Sequence, residues 1–258
     1  MAYTGNKLRV RVVYDLETTG LDKARVDHPV EIGVIIDVVD DASNTSVVSP
    51  ESYAWHIRLP DDFVPQYTQT DTGDPVADEI AKQTWYTDIG TSMDVATHIH
   101  NIPLQDMVRA VETWQSTAEK LLTLVQLAIL RAVSFMQGSR ADLDGNIEAL
   151  RPSEAGVGVT VYTYNGARFD NKFLRRMFDG DGSAENRVLL PKEWEFEDLF
   201  ERISQHKPRH RSKKLIDVYE TVCKYKYNDR PVEHSAFGDA LRTYRLMVDL
   251  PEYEESLA

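Results

Sequence analysis

No disulfide can form within this chain, because it has a single cysteine, Cys223. One thiol in 258 residues points to a reducing compartment, and we expect a cytoplasmic protein. Cys223 lies in an apolar-periodic stretch, so a buried thiol is expected there rather than a nucleophile. The N-terminus lacks the basic and apolar pattern of a secretory leader. Long hydrophobic runs are missing too. The longest, Leu121 to Met136, is broken by Gln126, Arg131 and Ser134, and reads as a buried helix rather than a membrane span. Internal repeats and low-complexity tracts are absent. Positive charge is scarce, and a net charge of −13 argues at first against a polyanionic partner. The distribution changes that picture. Acids crowd between Asp61 and Asp94, where Lys82 is the one base. Arg202, Lys207, Arg209, Arg211, Lys213 and Lys214 share a stretch without an acid. A basic patch on an acidic body suits a nucleic-acid enzyme whose metals add further positive charge, and equally suits a solvated loop.

An apolar fraction of 42% is ample for a large core. Three strands are expected first, at Leu8–Tyr14, Pro29–Asp37 and Ser52–Leu59, joined as an antiparallel meander with a turn over 40–50. Residues 60–97 are rich in acids, proline and glycine, and read as an insertion after the third strand. Residues 103–136 read as mostly helical, and Gln115–Met136 is apolar nearly all round, so other elements should sandwich it. A second loop is expected over 138–157 and a fourth strand over Gly158–Tyr164. Helices are expected at Phe169–Phe178, Trp194–Ile203, Leu215–Tyr225 and Ser235–Val248. Pro251 should end the last, leaving an acidic tail over 249–258. This order predicts an α/β fold, one mixed β-sheet flanked by helices, formed by the whole of 1–258 as a single domain.

Asp15-Leu16-Glu17-Thr18-Thr19-Gly20 directly follows the first strand. Two carboxylates two residues apart on a strand point to the same face. They repel unless a cation lies between them, which makes the pair a seat for a divalent metal with oxygen ligands. A solvated turn built by Thr-Thr-Gly is the plainer alternative. Tyr164-Asn165-Gly166-Ala167-Arg168-Phe169-Asp170 follows the fourth strand and opens a helix. Asp170 there is either a helix-start acid or a second strand-end carboxylate like Asp15. His234 precedes a helix whose early turns carry Asp239 between Ala236 and Ala240. An acid on an apolar face needs a metal or a partner. His234 is either a surface histidine or a base suited to deprotonating water near neutral pH. Four carboxylates and one histidine fit two-metal phosphoryl chemistry.

The three motifs, Asp-x-Glu-Thr-Thr-Gly, Asn-Gly-x-x-Phe-Asp and His-x4-Asp, resemble those of the DEDDh, DnaQ-like 3′–5′ exonucleases. The resemblance runs from Leu8 to Met247, the 60–97 insertion aside. It implies a ribonuclease H-like fold. It also implies two Mg2+ or Mn2+ ions held by Asp15, Glu17, Asp170 and Asp239, with His234 as general base. Pro29-Val30-Glu31-Ile32-Gly33 is similar to the family's second strand. Ile99-His100-Asn101-Ile102 resembles a segment that leans over the terminal nucleotide, with Asn101 in place of the usual glycine. The substrate-binding set implied is Thr18, Thr19, Gly20, Leu21, Ile99, His100, Asn165 and Phe169. Leu21 and Ile99 could equally be core residues. The implied activity releases nucleoside monophosphates from a 3′ end, with single-stranded DNA favoured over RNA and roles in repair or proofreading. The competing expectations are an exoribonuclease and a non-catalytic nucleic-acid-binding accessory to a polymerase. A protein partner could dock on the acidic insertion. No membrane partner is expected, and the host cell would be bacterial or phage-infected.

Overall fold

Alternating β-branched residues from Leu8 onward build the central strand, β1 (Leu8–Thr18). In the computed structural model it pairs antiparallel with β2 (Pro29–Asp40) and parallel with β5 (Gly158–Thr163). The structure describes residues 7–20, 27–60, 96, 98–137, 156–179, 188–205, 213–223 and 226–256. Two further strands pair with β2, the short β3 (Thr45–Ser46) and β4 (Glu51–His56). A last strand, β6 (Glu195–Asp198), pairs parallel with β5. These six strands form one mixed sheet, with β2, β1, β5 and β6 adjacent in that order.

Helices cover both faces. Among the described residues they include α1 (Leu104–Arg109), α2 (Trp114–Gln137), α3 (Asp170–Asp179), α4 (Leu199–Gln205), α5 (Leu215–Val222) and α6 (Ala236–Glu255). The pleat of β1 divides its side chains between two cores. Val10, Val12, Tyr14 and Leu16 point to one face and pack with α2 and α3, including Leu121, Val125, Phe173 and Phe178. Val13 points to the other and joins Ile35, Tyr162, Leu199, Val218 and Leu246 from the elements around α4, α5 and α6. Cys223 is buried in this second core, and burial pushes its thiol up, as expected of a packing residue. Asp15 and Glu17 share the second face with Val13, so they end their strand beneath α6 rather than beneath α2.

Several boundaries differ from the expectation. The stretch 40–50 holds β3 as well as turns. Residues 195–198 are a strand, not the start of a helix, and the helix begins at Leu199. The helical stretch 103–136 breaks after Arg109, where Glu112 bridges to Ile57 before α2 starts. Sandwiching of α2 is also wrong. Its Ala118, Leu121, Val125 and Ile129 stripe is buried, while Glu119, Thr123 and Phe135 are exposed. Pro251 lies inside α6, which runs on to Glu255, so the acidic tail is mostly helix. A proline there forfeits one helical hydrogen bond, but buried Leu250 and partly buried Tyr253 hold the last turns on the core. The acidic insertion, the second loop up to residue 155 and most of the 202–214 basic patch lie outside the described residues. Among the described residues no helix is long and apolar enough to cross a membrane.

Candidate metal and nucleic-acid site

The carboxyl ends of the parallel pair β1 and β5 form the rim of the site, the edge where open α/β sheets place their ligands. Asp15 and Glu17 occupy the last turns of the β1 pleat, opposite Gly33 and Glu31 of β2. The β1–β2 register slips between Glu17 and Thr18. Such a bulge re-aims the chain at the end of a strand. Beyond it the Thr-Thr-Gly turn is tied down internally. The Thr18 hydroxyl donates to the Gly20 carbonyl at 2.6 Å, and Thr19 Oγ1 accepts from the His28 N–H at 2.9 Å.

Asp239 reaches the pair from α6. One ligand oxygen each from Asp15, Glu17 and Asp239 lies within 4.8 Å of the others, a spacing able to hold a metal ion. Two glycines permit the approach. A Cβ at Gly33 would overlap the backbone of Ala236 and Phe237, so only glycine lets the start of α6 rest on β2. A Cβ at Gly238 would overlap the Val232 carbonyl, so glycine again lets the preceding loop lie against the first turn. Ser235 caps the helix, accepting from the Gly238 N–H at 3.0 Å. Glu31 adds a second cap, its Oε2 accepting from the Ala236 N–H at 2.9 Å. Glu31 faces Glu17 across the sheet and His56 on its other side, with 3.7 Å between His56 Nε2 and Glu31 Oε1. Like charges directly opposed on neighbouring strands destabilise the pair.

Asp170 opens α3 and is buried. Burial raises its carboxyl to about 7, against hydrogen bonds from its own and the Leu16 backbone, and the charges of Asp198 and Asp239 push the same way. Burial raises Glu17 to about 8, helped by Asp239, Glu31 and Asp170. Asp15 is pushed well above the carboxylate range by burial and then by Asp170, Asp239 and Glu17. Asp239 is raised by burial, although its bond to Arg242 and the proximity of His234 oppose the shift. Four acids that all resist ionising, chiefly through burial and, for Asp15, Glu17 and Asp170, through neighbouring carboxylates as well, are a preformed demand for positive charge. The donors are hard oxygens, which fit Mg2+ or Mn2+.

His234 sits on an exposed loop just ahead of α6 with φ 55, a left-handed conformation that non-glycine residues rarely hold. Asn165 and Asn101 share that conformation, at φ 62 and 57. Asparagine tolerates it, so Asn101 keeps the backbone bend that glycine would give. Asn165 is held by Asp198 at the end of β6, whose carboxylate accepts from the N–H groups of Asn165 at 2.7 Å and Ala167 at 3.0 Å. Phe169 packs partly against the α2–α3 core. His100 is buried against the Thr18 backbone, its Nδ1 accepting from the Ile102 N–H at 3.0 Å. Burial lowers its imidazole to about 4, so it is neutral at pH 7. Ile99, beside it, is 45% exposed and is not a core residue. Leu21 lies outside the described residues.

Three residues escaped the sequence reading: Glu31, Asp198 and Arg242. The Asp239–Arg242 spacing of three is a legible helix ion pair. Glu31 and Asp198 act through tertiary contacts and leave no local signal.

No family model matches the chain, and no curated protein matches it in sequence. Solved structures do. The zinc-bound complex of E. coli ExoI with single-stranded DNA superposes with a TM-score of 0.55 at 14% identity, covering 96% of this chain and 41% of that one. E. coli exonuclease I with a dA16 oligonucleotide gives 0.54, again at 14% identity, over 96% and 42%. A further structure of exonuclease I gives 0.52 at 14% identity, over 96% and 43%. This chain therefore spans less than half the length of those exonuclease I chains. The fold is ribonuclease H-like, a six-stranded mixed sheet between helices. It is the fold that the motif resemblance to DEDDh exonucleases implied.

Proposed function

We propose that the chain is a metal-dependent 3′–5′ exonuclease of the DEDDh type, acting on single-stranded DNA. The observation that carries this reading is the convergence of one oxygen each of Asp15, Glu17 and Asp239 within 4.8 Å, with Asp170 close enough to raise Asp15 and Glu17. The exonuclease I structures, crystallised with single-stranded DNA, support the choice of substrate.

In this reading Asp15, Glu17, Asp170 and Asp239 would hold two Mg2+ or Mn2+ ions, which when bound acidify the attacking water and neutralise the phosphate. His234 accepts the proton of that water on its imidazole. The water oxygen bonds to phosphorus, the P–O3′ bond breaks, O3′ of the shortened strand takes a proton from solvent to become a hydroxyl, and a nucleoside 5′-monophosphate leaves. The exposed loop gives the imidazole room to reach the water and to return its proton to solvent. The neutral His100 lies against the Thr18 backbone, and the last nucleotide would rest there, within reach of exposed Ile99. Thr18, Thr19, Gly20, Asn165 and Phe169 would make the remaining contacts to that nucleotide.

The test is digestion of matched 5′-labelled DNA and RNA single strands with Mn2+, by wild type and Asp15→Asn. We expect shortening from the 3′ end, faster on DNA, abolished by chelator and by the substitution. Faster RNA digestion would make this an exoribonuclease. Strand binding without hydrolysis would make it a binding module.

A further inference from the structure

Arg242 is 3% exposed, in the second turn of α6, among Ala240, Thr243 and Leu246. An apolar side chain would pack there without the desolvation penalty of a buried cation. The guanidinium instead makes three hydrogen bonds. Its Nη1 donates to Asp239 Oδ1 at 2.5 Å and to the Val232 carbonyl at 3.1 Å, and Nη2 donates to the Pro231 carbonyl. Those carbonyls lie two and three residues before His234, and the Val232 carbonyl also accepts from Ser235 Oγ at 3.5 Å. Val232 itself is 70% exposed.

We infer that Arg242 is a positioning residue that locks the orientation of Asp239 to the placement of the His234 loop. This rests on the reading of Asp239 as a cation ligand and His234 as the base. The chemistry of the fork supports it. A planar guanidinium can serve a carboxylate and two carbonyls at fixed angles, which an ammonium cannot. It occupies one oxygen of Asp239 and leaves the other for the cluster of Asp15 and Glu17. The same group holds the backbone that leads into the left-handed His234. The ligand and the base therefore cannot move independently. A residue whose sole task was to neutralise Asp239 would not need the two carbonyl bonds.

Arg242→Lys keeps the charge and loses the fork, so it separates geometry from electrostatics. We expect its Mn2+ affinity to fall about 10-fold and kcat by about 10- to 100-fold, with KM within about twofold. Amide exchange over Val232–Ser235 should quicken at least about 10-fold relative to the rest of α6. Arg245→Lys, on the same helix but bonded to Asp229 and Tyr219, should leave these values unchanged. A lower melting temperature for Arg242→Lys with wild-type Mn2+ affinity and loop exchange would overturn the inference. Wild type supplies a second test that needs no variant to fold. Coupling is reciprocal, so Mn2+ binding should slow exchange over Val232–Ser235, and unchanged exchange at saturating Mn2+ would refute the link. Should wild type bind Mn2+ yet fail to cleave DNA, the nuclease reading falls, while affinity and exchange still judge Arg242.

Discussion

Gly33→Ala places one methyl group between β2 and the start of α6. Its carbon would lie inside 3.0 Å of Ala236 O, Ala236 C and Phe237 N, where ordinary contact begins at 3.4 Å. All three are backbone atoms, so no side chain can swing away. The first turn of α6 must withdraw by several tenths of an ångström or more, carrying Asp239 and the His234 loop with it. Overpacking of this kind costs about 1–3 kcal/mol. For a chain of this size that lowers the melting temperature by roughly 2–12 °C. The kinetic effect should be larger in proportion, since a misplacement near 1 Å can cost about 100-fold in rate. The assays are differential scanning calorimetry and single-turnover cleavage of a labelled DNA strand with saturating Mn2+. Gly158→Ala is the control, because its Cβ meets nothing nearer than the Arg9 side chain at 3.7 Å. A Gly33→Ala protein with wild-type melting and rate would refute the claim that β2 sets the position of α6.

The metal-free protein should lose stability as pH rises. Glu17 and Asp170 titrate at about 8 and about 7 when folded, above their ordinary values of 4.5 and 3.8. Between those limits the native state holds protons that the unfolded chain has released, so stability falls through the window. The loss should be roughly 2–5 kcal/mol from pH 5 to pH 8, measured by urea unfolding in chelator, and a flat or rising profile would contradict it. Added Mn2+ should restore stability, most strongly at the high end of that window. Glu17→Gln should raise the metal-free melting temperature at pH 8, flatten this dependence and blunt the response to Mn2+. A Glu17→Gln protein that Mn2+ stabilises as fully as wild type would remove Glu17 from the site.

What could be read from the sequence is what chain neighbours encode. Asp15 with Glu17, and Asp170 after its strand, stand out as candidates by position at strand ends, whereas the His234–Asp239 spacing is common by chance and stands out only through the resemblance of the three motifs together. The strands β1, β2 and β5 carry enough β-branched residues to declare themselves. β6 does not. Its Glu-Phe-Glu-Asp is polar, and it becomes a strand by pairing with Thr160–Thr163 of β5, which no local pattern encodes. β3 is two residues paired to Val39 and Asp40, shorter than any periodicity can show. Pro251 misled because proline is a local stop signal, and α6 continues past it on the strength of packing against the second core. The supports of the site were hidden for the same reason. Asp198 lies 33 residues from the Asn165 it holds, and Glu31 lies 205 residues from the Ala236 it caps.

Diffraction at the manganese edge from crystals soaked with Mn2+ and a short DNA strand tests the central claim most directly. The account predicts a pair of anomalous peaks between Asp15, Glu17, Asp170 and Asp239, bridged by the terminal phosphate, with the His234 ring turned toward the water opposite the leaving oxygen. Manganese bound elsewhere, or those carboxylates holding none at saturation, would contradict it.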